Sequence, residues 1–352
     1  MHSRVEHNRI GYIDIAKAIA MICVVTCHVM LYDFYGFQYS STESVLHQFV
    51  ASFQMPLWFF LSGMVARTEI SVSDIPPDLY KRFRNLIIPA IVVGLPFSCF
   101  IGKGIEEFFT NGMKQGYWYM FVLFEMLVIN YVFSLPFGKN RKALLYFLSA
   151  LAWLVSYRHL YLIPQDIRWL FCIDLLVRYF PFFVIGNIVR KQNLYNLLFN
   201  WKMLVASVLV WILSFMYPPP YFLHELEGGL IQNSYISILY KLLQNIQEII
   251  TLSITLAKVI CVVCLCRMLI NFSRHNLLEY VGRHTIFIYL FHYYILICIS
   301  MPFLNNWFAD NGNILIDVLS AVVPVTLVMV ICVGISRLFD KIPKIKKLIF
   351  FN

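Results

Sequence analysis

Apolar runs separated by short polar breaks recur along the whole chain. A helix needs about 17–25 mostly apolar residues to cross roughly 30 Å of hydrocarbon, and about ten runs meet that criterion. They centre on Ile22, Phe59, Val93, Val128, Leu151, Phe182, Val208, Ile260, Leu290 and Val328. The pattern predicts an all-α, polytopic integral membrane protein with a single membrane-embedded domain over residues 1–352. The longest break, roughly Pro218 to Asn245, opens with PPP and contains HELEGG, and it is too short for a separate domain. Glu6, Arg9, Asp14 and Lys17 lead into the first run and no small-x-small site follows His28, so that run is expected to stay in the mature protein. The chain ends just past its last run, and no C-terminal soluble domain is expected.

Composition agrees: 60% of residues are hydrophobic, 17% aromatic and only 13% charged. The basic residues then orient the runs. With a cytoplasmic N-terminus, 20 Lys and Arg fall in inner segments, among them Arg67, Lys81, Arg82, Arg84, Arg190, Lys191 and Arg337. Five fall outside (Lys103, Lys114, Arg158, Arg168, Lys241), and Lys17, Arg178 and Lys258 lie within helices. That bias predicts both termini in the cytoplasm. It also accounts for most of the formal net charge of +9, so no nucleic-acid partner is inferred. The nine cysteines lie mainly in apolar runs without nearby His or carboxylate partners, which argues for packing and against a metal site. There is no dinucleotide glycine fingerprint, phosphate-binding loop or internal repeat.

The first run carries an unusual pair, Lys17 and His28 in KAIAMICVVTCH. Eleven helical steps make three turns plus roughly 20°, so the two side chains share a face and are displaced by about 16 Å along the axis. An ionisable residue within a membrane is costly unless it faces protein or a water-filled cavity, which makes both functional candidates. The plainer alternative is that Lys17 pairs with Asp14 or snorkels, while His28 marks the helix end.

IDIAKAIAMICVVTCH followed by SFQMPLWFFLSGMVAR resembles the opening of the acyltransferase-3 family, the bacterial multi-span membrane O-acyltransferases. KRFRNLIIP from Lys81, WYMFVLFE from Trp118, RYFPFFVIGNIVRK from Arg178 and YVGRHTIFIYLFH from Tyr280 fit the same family in order. The chain departs from the family's pattern in Lys17, where Arg is common, in Lys81 with Arg84 for paired arginines, and in Gln54, where His often precedes MPL. The resemblance implies transfer of an acyl group, usually acetyl from cytosolic acetyl-CoA, to a hydroxyl of a cell-envelope or exported glycan. It further implies a multi-pass protein of the bacterial cytoplasmic (inner) membrane. Acetyl-CoA would be a substrate, with no bound cofactor and no metal.

Residue chemistry is compatible with that reaction. Lys81, Arg82 and Arg84 form a cationic cluster suited to the donor's phosphates, with topology anchoring as the alternative, and Lys17 extends the positive field inward. His28 is the expected base, because imidazole titrates near neutrality and can take the proton of an attacking hydroxyl. An acetyl-imidazole relay is an equal formal possibility. Glu125 and His292 are candidates for orienting His28 or contacting the acceptor, though a lone His at a helix end often serves only to hydrogen-bond a neighbour. Asp174 and Arg178, four residues apart, are expected to form an ion pair, with a minor site role open for Arg178. Ser62 and Gly63 read as close-packing positions, and Lys258 has no explanation from sequence. A transporter or flippase of a lipid-linked sugar is the alternative function; it would use Lys17, His28, Asp174 and Arg178 as a polar pathway, but the halves show no internal symmetry.

Overall fold

The computed structural model describes residues 10–31, 44–135, 139–216, 234–272, 276–299 and 314–341. These are 89% helical and contain no strand, as the all-α reading requires. In chain order the helices are α1 (Gly11–Leu31), α2 (Val45–Ala51), α3 (Gln54–Val65), α4 (Ile75–Phe100), α5 (Gly104–Thr110), α6 (Trp118–Ser134), α7 (Lys139–His159) and α8 (Gln165–Leu170). They continue with α9 (Ile173–Lys191), α10 (Tyr195–Leu198), α11 (Trp201–Met216), α12 (Ser234–Phe272), α13 (Asn276–Arg283), α14 (Thr285–Ile299) and α15 (Ile314–Lys341).

Each predicted centre falls inside one of these helices, but the helices are unequal. Four, within α1, α4, α12 and α15, are long and apolar enough to cross a membrane alone; α13 and α14 supply a fifth if their pair, bent by 82°, counts as one span. The run around Phe59 is broken, because α3 has 12 residues, about 18 Å of helix, and α2 precedes it as a separate piece. Pro56 explains the break: its ring excludes the carbonyl four residues back, at Ser52, where α2 ends. In the first turn of α3 its missing N–H is no loss. The segment expected to be an outer loop up to Asn245 is helical from Ser234 onward, while HELEGG lies outside the described residues.

α1 is the hub. It packs against α2, α3, α12, α13, α14 and α15, and 72% of its apolar stretch is buried, against 33–44% in the other three long spans. Two close approaches hold the frame around it. Gly282 on α13 lies against the carbonyl of Asp14, where a Cβ would come within 1.9 Å of the oxygen. Gly63 on α3 and Gly186 on α9 face each other's helices in the same way: a Cβ at Gly63 would stand 2.0 Å from the Phe183 carbonyl oxygen, and one at Gly186 2.1 Å from that of Phe60. Small residues let backbones meet where the bilayer gives no hydrophobic drive for association. Gly63 therefore packs as expected, whereas Ser62 instead hydrogen-bonds the Tyr119 hydroxyl at 3.0 Å.

Gly63→Ala and Gly186→Ala are each expected to cost about 1–3 kcal/mol, the usual range for overpacking. Thermal unfolding in detergent measures this as a lower midpoint. Gly334→Ala, where the new methyl meets no atom within 4 Å, serves as the control and leaves the midpoint in place.

Candidate functional site

The YVGRHTIFIYLFH string folds as two pieces, and the bend between them builds the site. YVGR ends α13, and Gly282 seats that helix on the start of α1. After the bend, α14 runs beside α1 and places Tyr289, His292 and Tyr293 near His28. The Tyr293 hydroxyl and His28 Nε2 share a hydrogen bond of 2.9 Å. The His28 and His292 rings are 5.3 Å apart, and Tyr293 lies 4.0 Å from His292 and 4.8 Å from His28, all centroid to centroid.

The two imidazoles are held differently. His292 is fully buried, and its Nδ1 lies 2.8 Å from the Tyr289 carbonyl and 3.0 Å from that of Ile288. Carbonyls only accept, so Nδ1 carries the proton and Nε2 the lone pair. That Nε2 is buried and has no hydrogen-bond partner among the described residues. His28 keeps partial exposure on a helix whose neighbouring positions, Val24 to Cys27 and Val29, are buried. His47 on α2 is within electrostatic reach of His28, and Ser44 just before α2 contacts Met30 at the same end of α1.

The segment joining α5 to α6 closes over this group. Lys114, Gln115 and Gly116 all have positive φ (47°, 52° and 96°), a sharp left-handed turn that glycine accepts freely and the other two do not. The turn sets Gly116 against Tyr293, whose hydroxyl would lie 2.0 Å from any Cβ there, and the Gly116 carbonyl accepts from the Tyr289 hydroxyl at 2.6 Å. Lys114 is fully buried and secures the turn by donating to the carbonyls of Phe109 at 2.5 Å and Trp169 at 2.9 Å.

Lys17 occupies the same face as His28, one ion pair (3.8 Å) from Asp14. Between the two, Met21 and Val24 are buried, so no open passage links them among the described residues. In the basic cluster, Asp78 draws Arg82 (3.4 Å) and Arg67 (3.5 Å) and accepts from the Tyr131 hydroxyl at 3.0 Å. Lys81 remains exposed one turn from Arg84, whose Nε is buried without a hydrogen-bond partner among the described residues, as is Oδ1 of Asn85.

One expectation changes, the ion pair of Asp174. Glu125 stands in the electrostatic field of Lys114. Asp174 pairs with Arg168 at 2.8 Å and not with Arg178, because α8 delivers Arg168 to the start of α9. Arg178 is exposed and interacts with Tyr179. Sequence reading also missed Tyr293, Tyr289 and His47: Tyr293 adjoins a flagged His292, but a tyrosine in an aromatic-rich run carries no signal of its own.

A family model described as an acyltransferase domain matches residues 10–335. The chain belongs to the acyltransferase-3 family. It is thus a membrane acyltransferase, with nearly all of its length inside the family domain. No curated protein and no solved structure matches it.

The Tyr293 hydroxyl fixes the orientation of the His28 ring through their shared hydrogen bond. Tyr293→Phe removes one hydrogen bond, a net about 0.5–1.5 kcal/mol, and is expected to lower the transfer rate roughly three- to tenfold. Steady-state kinetics should show the loss in kcat, with both KM values unchanged; a purely structural role would instead lower active-enzyme stability and leave kcat per folded molecule alone.

Proposed function

We propose that this acyltransferase moves an acetyl group from cytosolic acetyl-CoA to a hydroxyl of a cell-envelope or exported glycan, in a bacterial cytoplasmic membrane. The observation that carries the reading is the imidazole pair at the far end of α1, with the hydroxyl of Tyr293 on His28 and a buried lone pair on His292. Its chemistry suits acyl transfer. His28, the partly exposed ring, takes the proton from the acceptor hydroxyl as the oxygen attacks the thioester carbonyl. The C–S bond breaks, the proton passes from the imidazolium to the departing thiolate, and coenzyme A leaves as the thiol. His292 packs against His28, with the ring centroids 5.3 Å apart.

Donor recognition falls to the other end of α1. Lys81 and Arg84 share one face of α4, with Arg84 Nε not yet partnered, and Lys17 adds positive charge on the route inward. Arg82 contributes less because Asp78 already engages it. Ten crossings with both termini cytoplasmic fit this division, setting the basic cluster toward the donor and His28 toward the acceptor side. Met21 and Val24 must then shift to admit the thioester arm, since both are buried between the two ends.

Radiolabelled acetyl-CoA offered to vesicles containing native envelope glycans tests the proposal. Wild type is expected to transfer label to an alkali-labile glycan fraction, and His28→Ala, at matched expression, to lose roughly 100-fold or more. Arg84→Ala is expected to raise KM for acetyl-CoA with kcat nearly kept. Acetyl-CoA that fails to bind the solubilised protein at all would overturn the reading in favour of a transporter.

A further inference from the structure

Asp78, in the first turn of α4, is only 6% exposed, yet it sits among the basic residues that would hold the donor. Its two oxygens are divided. Oδ1 faces the Arg67 guanidinium at 3.5 Å, while Oδ2 faces Arg82 Nε at 3.4 Å and accepts from the Tyr131 hydroxyl at 3.0 Å. Arg67 is held at its backbone too, because its carbonyl accepts from Asn130 Nδ2 and Ser134 Oγ, both at 2.8 Å. The Ile70 N–H donates to the Ser134 carbonyl at 3.0 Å, so the link from α3 to α4 is tied to the last turns of α6. One buried carboxylate thus engages Arg67 and Arg82 together.

The helical period sorts the other basic residues. At about 100° per residue, Arg82 lies roughly 40° from Asp78, on the side that meets Tyr131 of α6. Lys81 and Arg84 lie roughly 60° and 120° from it in the opposite sense. Arg67 and Arg82 therefore turn toward the carboxylate, and Lys81 and Arg84 away from it. With acetyl-CoA as donor, the same phosphates are carried by the substrate and by the coenzyme A that leaves. A grip on them binds both alike and adds nothing to the chemical step, and each further cation on them slows departure of the product.

We propose that Asp78 sets the strength of donor binding by withholding Arg67 and Arg82 from the coenzyme A phosphates, leaving Lys81 and Arg84 to hold them and letting the product thiol go. The proposal rests on the reading of this cluster as the donor site. Asp78 touches no reacting atom and acts through the two arginines. Asp78→Asn keeps the shape of the side chain and an acceptor oxygen for Tyr131, but loses the charge that draws both guanidiniums.

Titration of the detergent-solubilised full chain with acetyl-CoA and with coenzyme A, at low and high salt, tests this. Asp78→Asn is expected to bind both ligands roughly two- to fourfold tighter at low salt, the size of one nearby charge removed in a water-rich setting, with the gain shrinking as salt rises. In the vesicle transfer assay the same variant should show a lower KM for acetyl-CoA together with a lower kcat. Tighter binding is a change that damage to the fold does not produce. Arg67→Gln should alter wild-type affinity by less than about twofold, and should reduce the gain when combined with Asp78→Asn. Unchanged or weaker binding by a folded Asp78→Asn would overturn the proposal. So would an Arg67→Gln as damaging as Arg84→Ala, a comparison that stands even if Asp78→Asn does not fold. A wild type that binds neither ligand, or an Arg84→Ala with wild-type affinity, would remove the donor site itself and the proposal with it.

Discussion

Lys17 and His28 are tolerable in a membrane helix because α1 runs through the middle of the bundle and not along its lipid-facing edge. That constraint propagates outward. Six helices must surround α1, and with no hydrophobic drive between helices in lipid they close on it through glycines: Gly282 against Asp14 at its start, and Gly63 with Gly186 in the wall beside it.

The far end of α1 shows how the same enclosure creates chemistry. Tyr289 and Tyr293 cannot leave their hydroxyls unmade in hydrocarbon, so one donates to Gly116 and the other pairs with His28. Gly116 can approach that closely only on a left-handed turn, and the turn stays in place because buried Lys114 binds carbonyls from two separate segments. A lysine far from the imidazoles in sequence thereby fixes the turn that packs against Tyr293, the hydrogen-bond partner of His28. Its own cost of burial is offset by charge-assisted hydrogen bonds and by Glu125 nearby.

Much of this was legible from residues. Each of the ten centres that hydropathy named falls inside a helix, and the 3.6-residue period placed Lys17 and His28 on one face before any coordinates. Hydropathy could not say where a run breaks, since the break between α2 and α3 depends on one proline ring meeting one carbonyl. Nor does a charge reveal its partner: the i,i+4 rule put Asp174 with Arg178, but a six-residue helix brought Arg168 closer. The aromatic members of the site were hidden for a compositional reason, because a chain with 31 Phe and 21 Tyr gives no single tyrosine any prominence.

Lys258 carries the argument about buried charge one step further. Lys17 meets Asp14 and Lys114 meets two carbonyls, so both of these cations have an oxygen within the protein. Among the described residues Lys258 has rings instead, on a surface that faces outward. A cation with internal oxygen partners is part of the scaffold, and its surroundings are already complete. One set among π-faces midway along an apolar stretch carries its charge at a higher cost.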